Sequence, residues 1–255
     1  MKARAEARNS LEPFALRLNK RLADHAGRSG NLLFSPLSVY VALSMAAAGA
    51  REQTLGELVD ALGAPSQHDL TWYACTLAEQ ALADQSRTGG PCVSFACGAR
   101  DGLWRLIDMI AFDPEFLRKH LPRSDVEVGD FRLPKFKVSF GMTMNGILRG
   151  MGLKEAFEPG KADLSDMTED GARESRRLEQ VVHRAIIEVN EEGTEATAAT
   201  MVDTCLCTSQ EAAPPPPPPP LHADFVADHP FAFFVIEEVS GAILFAGHVL
   251  DPTIK

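Results

Sequence analysis

The sequence predicts an α+β fold, and three patterns carry that prediction. Residues 11 to 81 repeat their apolar positions at helical spacing. Residues 181 to 189 alternate strictly between two faces. Residues 231 to 249 form a strongly apolar hairpin around Ser240 and Gly241.

Taken in order, Leu11, Phe14, Leu18 and Leu22 recur at helical spacing, so residues 11 to 24 read as an amphipathic helix that covers a core. Asn31 to Phe34 is a short apolar strand, after which Ser35 caps and Pro36 opens a helix. Val39 to Ala50 is apolar nearly all round, the mark of a helix buried on every side. Thr54 and Glu57 match the T-x-x-E capping box; Leu55, Leu58, Val59 and Leu62 form one stripe, and Gly63 and Pro65 end it. Leu70, Tyr73, Ala74, Leu77 and Ala81 make another helical face with Trp72 at its edge, aromatics that read as packing.

Gly89, Gly90 and Pro91 break the chain before a strand, Cys92 to Cys97. Across Gly98 to Gly102 the sequence passes straight into a helix carrying Leu103, Leu106, Ile107 and Ile110, and Asp113 and Pro114 start a further short one, PEFLRKHL. LPKFKVSF sets Phe136, Val138 and Phe140 against Lys135, Lys137 and Ser139, a strand with one wet face. Residues 142 to 151 read as a helix around Met144, Ile147 and Leu148, and Gly171 to Arg177 as polar loop.

The stretch from His183 to Thr208, HRAIIEVNEEGTEATAATMVDTCLCT, organises the rest. Val181, His183, Ala185, Ile187 and Val189 share one face of a strand and Val182, Arg184, Ile186 and Glu188 the other. Asn190, Glu191, Glu192 and Gly193 then supply turn chemistry. Drawn into a sheet, Thr194, Ala196, Ala198, Thr200, Val202 and Thr204 would face one side, and Glu195, Thr197, Ala199, Met201 and Asp203 the other. The first side is small throughout, and both carboxylates fall on the second. Such a segment slides over a packed core without burying a charge.

This stretch closely resembles the hinge and reactive-centre loop of serpins, plant serpins in particular; NLLFSPLSV at 31 to 39, HPFAFFVIEEVSGAILFAGHVLDP at 229 to 252, DGLW and FEPGKADLSDM extend the likeness. The resemblance implies that Glu191, Glu192, Gly193, Thr194, Glu195, Ala196, Thr197, Ala198, Ala199 and Thr200 are the loop hinge. It places the bond offered to a protease between Cys207 and Thr208, and makes Ser35, Ser38 and His183 the gate under the main sheet. By the residues alone, those three are equally a helix cap and a satisfied strand histidine. The chain departs from the family between Cys97 and Gly102, which join regions that serpins keep far apart. The implied loss is on the order of a small domain, about 100 to 150 residues, and includes the strand bordering the gap in the main sheet opposite 181 to 189. Residues 92 to 98 and 181 to 189 have then lost the neighbour between them, so the sheet is expected to be either open-edged or rearranged. Residues 1 to 255 read as a single incomplete serpin domain, with 193 to 223 the reactive-centre loop.

Pro214 to Pro220 interrupts that loop with an unbroken proline run, which adopts a stiff polyproline II rod of roughly 20 Å. It reads either as a ligand for a polyproline-binding domain of the SH3, WW or EVH1 type or as a low-complexity spacer.

Composition narrows the function classes. Acidic residues outnumber basic ones by 35 to 25, a formal charge of -10, which favours neither nucleic acid nor an anionic membrane surface as partner. No stretch is long enough to cross a bilayer and the N-terminus has no apolar h-region, so the expected location is intracellular, with an extracellular one suggested by family association. Five cysteines make no C-x-x-C pair and no zinc-ligand spacing, so neither a disulfide framework nor a metal site is expected. No cofactor motif is present, and no nucleophile, base and orienting group can be assembled, so an enzyme is not expected. Three functions stay open: a serpin by descent that no longer inhibits, a working inhibitor of a serine or cysteine protease, and an interaction protein using the proline rod.

Overall fold

The computed structural model describes residues 10–25, 29–82, 92–97, 100–120, 128–167, 177–190, 193–194, 223–237 and 240–254. Helix α1 (Leu11–His25) buries Leu11, Phe14, Leu18 and Leu22 as their spacing predicts, and adds Ala15, Leu16 and Ala23 to a broad apolar stripe. Strand β1 (Leu32–Phe34) is buried throughout. Ser35 then takes an extended backbone, and its Oγ accepts a hydrogen bond from the N–H of Ser38 at 3.2 Å, capping α2 (Pro36–Ala48) with proline at the first position.

Helix α2 differs from expectation. Val39, Tyr40, Leu43, Ala46 and Ala47 are buried, but Ser38, Ala42, Met45 and Ala48 line an exposed face, with Met45 68% exposed. An all-apolar helix signals burial on every side only when every side has a neighbour. This face is open to solvent among the described residues.

Helix α3 (Glu52–Leu62) begins earlier than the capping box requires, after Arg51, and no side chain caps it. Thr54 Oγ1 instead accepts from the N–H of Asp163 at 3.0 Å, and Glu57 Oε2 from the N–H groups of Lys154 and Glu155 at 2.8 and 2.7 Å. Both side chains lie inside the helix and satisfy the backbone of the facing segment, so a local pattern has lost to a long-range contact. The other end behaves as predicted: Gly63 takes the left-handed region at φ 69°, and its N–H and that of Ala64 reach the carbonyls of Asp60 and Val59.

Helix α4 (Gln67–Leu82) packs on α2. Strand β2 (Cys92–Cys97) precedes α5 (Arg100–Phe112) and α6 (Pro114–His120), then β3 (Val128–Arg132) and β4 (Phe136–Thr143). Strand β4 takes more of the chain than expected, leaving only Asn145–Gly150 to helix α7. Strands β5 (Val182–Asn190), β6 (Gly193–Thr194), β7 (Ala223–Val226), β8 (Phe231–Ile236) and β9 (Ile243–Val249) complete the order, with Gly241 at φ 70° in the turn between the last two.

These strands form three sheets, ordered β1-β9-β8-β2, β3-β7 and β4-β5-β6. Strand β8 is central to the first and buried on both faces. Phe234 and Ile236 face the core shared with α1 to α4, whereas Phe231, Phe233 and Val235 meet Phe136, Val138, Ala185 and Ile187 of β4 and β5. Layers of helix, sheet and sheet follow from that alternation. Each such buried Phe or Ile contributes about 1.5 to 3 kcal/mol relative to exposure.

Strand β2 takes the rearranged of the two alternatives. It does not share a sheet with β5; it runs antiparallel to β8 in unbroken register from Cys92 opposite Ile236 to Cys97 opposite Phe231. An apolar strand whose edge partner is absent gains more by pairing with the most buried strand available than by standing alone, because backbone polar groups left unpaired in a core are costly.

Candidate functional site

Strand β5 carries the candidate site. His183, Ala185 and Ile187 are buried and Val182, Arg184, Ile186 and Glu188 exposed, the two faces read from the sequence. Its partner β4 pairs along its whole length, from Phe136 opposite Val189 to Thr143 opposite Val182. On the wet face the opposed residues Lys137 and Glu188 form an ion pair at 2.6 Å. Asn145, which the sequence does not single out, fixes the entry to β5: its Oδ1 accepts from the N–H of Val181 at 2.9 Å and its Nδ2 donates to the carbonyl of Glu179 at 2.8 Å. An Asn at a helix start ordinarily signals a cap, so nothing local marks this bridge.

Strand β1 packs on β4 and β5, which brings Ser35, the residue after β1, over His183. The backbone N–H of Ser35 donates to His183 Nε2 at 3.0 Å. The imidazole is 5% exposed, and burial pushes its pKa below the usual histidine value. With Nε2 accepting, the neutral ring carries its proton on Nδ1. Of the three proposed gate residues, Ser35 and His183 are in contact, and Ser38 touches Ser35 through its N–H while standing exposed on α2.

Beyond Asn190 the chain reverses. Gly193 lies opposite Asn190 and Thr194 opposite Val189, so β6 lies along the edge of β5 away from β4. Of the proposed hinge, Gly193 and Thr194 are therefore placed on β5. Glu191, Glu192, Glu195, Ala196, Thr197, Ala198, Ala199 and Thr200, the proposed bond at Cys207 and Thr208, and the proline run 214 to 220 lie outside the described residues. No cluster of metal-ligating side chains occurs among the described residues, and no described helix is long and apolar enough to cross a membrane.

A family profile described as Serpin (serine protease inhibitor) matches residues 9–89 and 101–252. The chain belongs to the serpin family. Its two matched blocks part around the Cys97 to Gly102 junction. Serpin-Z2B of Oryza sativa subsp. japonica is 34% identical over 405 residues, covering 95% of this chain and 97% of that one. An alignment longer than the 255-residue chain means that the relative carries a long internal segment absent here. Serpin-Z2A of the same organism is 52% identical over 159 residues, 60% of this chain and 35% of that protein. Among solved structures, an Arabidopsis serpin in its native stressed conformation has a TM-score of 0.72 at 22% identity, covering 99% of both chains. Tengpin, a thermophilic serpin in its native state, has a TM-score of 0.62 at 18% identity, covering 96% of this chain and 94% of that one. The fold is thus a truncated α+β serpin.

Proposed function

We propose that this serpin does not trap proteases. The observation that carries the reading is the make-up of the sheet around β5: among the described residues it holds β4, β5 and a two-residue β6, while β2 is hydrogen-bonded to β8. A trapping serpin, on the family resemblance, is cut between the residues matching Cys207 and Thr208, holds the protease as an acyl-enzyme, and draws its hinge between two strands. The register of β5 and β6 supports half of that act. Continued along β5, it puts Ala196 opposite Ile187, Ala198 opposite Ala185 and Thr200 opposite His183, small residues over the buried face. A strand so placed bonds β5 on one side only. At about 0.5 to 1.5 kcal/mol per net hydrogen bond, an inserted segment with one neighbour gains roughly half the driving force of one with two.

In this reading Glu191 to Thr200 remain a hinge in sequence, Ser35, Ser38 and His183 hold β5 to α2, and a serine or cysteine protease meets Cys207 and Thr208 as substrate. Incubating the purified chain with trypsin-, chymotrypsin-, subtilisin- and papain-like proteases is expected to give cleaved protein and free enzyme. A complex that survives boiling in SDS with any of them would overturn the proposal.

A further inference from the structure

Helix α1 bounds two neighbouring surface clefts. One, of about 410 Å³, is lined by Arg17, Lys20, Arg21 and Asp24 of α1, Ala111 and Phe112 at the end of α5, and Gly150 and Met151. The other, of about 290 Å³, shares Arg21, Asp24 and Gly150 with it and adds His25, Gly146 and Ile147. Together they make one groove across α7, within the size range of small-ligand sites.

Its charge is unusual for this chain. In a protein of formal charge -10, three cations stand on one wall beside a single carboxylate, Asp24. Lys20 is engaged by Asp24 at 3.2 Å and Asp108 at 2.7 Å. Arg17 gives one donor to the carbonyl of Ala61 at 2.9 Å and faces no carboxylate within ion-pair distance among the described residues. Partial burial lowers its pKa, while the residue as a whole stays exposed. Arg21 likewise makes no ion pair with the described residues, and its Nη1 lies 3.7 Å from where a Cβ on Gly150 would stand. The opposite wall is apolar, and Phe112 at its rim is 83% exposed, a large aromatic surface left in water. The floor is open because Gly146 and Gly150, one helical turn apart, present no side chains; a Cβ on Gly146 would meet nothing within 4 Å.

We infer that this groove binds an amphiphilic monoanion, a carboxylate on an apolar body, with Arg21 and Arg17 on the carboxylate and Phe112, Met151 and Ile147 on the body. Two guanidiniums that make no ion pair with the described residues favour a carboxylate because their paired N–H groups match its two oxygens. The apolar wall requires that the anion carry a hydrophobic body, and inorganic anions alone would leave that wall wet.

The test is calorimetric titration of the full chain with decanoate, decanol and inorganic phosphate. Saturable decanoate binding is expected, at least tenfold tighter than that of decanol, with no measurable phosphate binding. Gly150→Leu plugs the part shared by both clefts and raises helix propensity, so it should abolish binding while leaving the thermal transition unchanged. Arg21→Glu should weaken decanoate at least tenfold and decanol little, whereas Lys161→Glu, an exposed control, should change neither. Equal affinity for decanoate and decanol, phosphate binding as tight as decanoate, or decanoate binding unaffected by Gly150→Leu would each overturn the inference.

Discussion

The backbone N–H of Ser35 donates to Nε2 of His183 across 3.0 Å, so one buried imidazole joins the cap of α2 to β5. Protonation turns that acceptor into a donor facing another donor, and the contact is lost.

Stability should therefore depend on the charge of His183. Burial holds its folded pKa below the ordinary 6.5. The contribution is full above about pH 6.5, where both folded and unfolded states are neutral, and is lost as pH falls from there through the folded value. His248, fully buried and pushed down to about 4, acts with the same sign, so the comparison must be made against a variant. His183→Gln keeps an acceptor and cannot titrate. Urea midpoints measured from pH 7.5 to 5 should fall less steeply in the variant than in the parent. Parallel curves would remove His183 as a pH-sensitive joint.

The local elements were largely legible in the sequence, because their signals are local. Alternation from Val181 to Val189 assigned the faces of β5; Ser35 and Pro36 marked the start of α2, and Gly63 the end of α3. What failed depended on partners. Cys92 to Cys97 announces a strand but not that it will pair with β8, since the pairing energy sits in Phe231 to Ile236, far along the chain. The T-x-x-E pattern at Thr54 and Glu57 was outbid by the N–H groups of residues 154 to 163. At the site, parity alone put His183 on one face with Ala185 and Ile187, whereas its bond to Ser35 spans 148 residues and follows only from the packing of β1 on β5.

Gly247 shows how tight that packing is. A Cβ there would stand 2.1 Å from the carbonyl oxygen of Leu32 and 3.0 Å from the Phe233 ring. The nearer obstacle is backbone of the paired strand β1, which cannot swing aside. Gly247→Ala should cost about 1 to 3 kcal/mol or more, as overpacking of a close-packed core does. Chemical denaturation measures it directly; a loss below 0.5 kcal/mol would mean that β1 and β9 separate easily, contrary to the register of Leu33 opposite Gly247.

Met45 reports on whether anything covers the exposed face of α2. It stands 68% exposed beside Ala42 and Ala48. Met45→Lys should change stability by no more than about 0.5 kcal/mol, the ordinary range for surface substitutions. If a strand lay across this face, the lysine would be driven into an apolar interface. A cost above 2 kcal/mol in a urea melt would place such a strand there, and the non-trapping reading would lose ground with it.

Cleavage of the loop gives the most direct measure of the receiving sheet. In a trapping serpin, on the family resemblance, the severed hinge becomes a fully paired strand, and every bond it adds raises the melting temperature. Here the register that Val189 and Asn190 begin would carry a strand after Thr194 along the edge of β5 away from β4, and among the described residues no strand lies on its other side. The gain is then confined to one ladder and is offset by the backbone entropy of ordering the segment, about 1 to 2 kcal/mol per residue. The small side chains at Ala196, Ala198 and Thr200 bury little surface to tip that balance. Thermal unfolding of intact protein and of protein nicked after residue 200, with the cut mapped by mass spectrometry, should coincide to within a few degrees. A shift of tens of degrees upward would require a second neighbour for the inserted strand, and with it an acceptor sheet able to drive trapping.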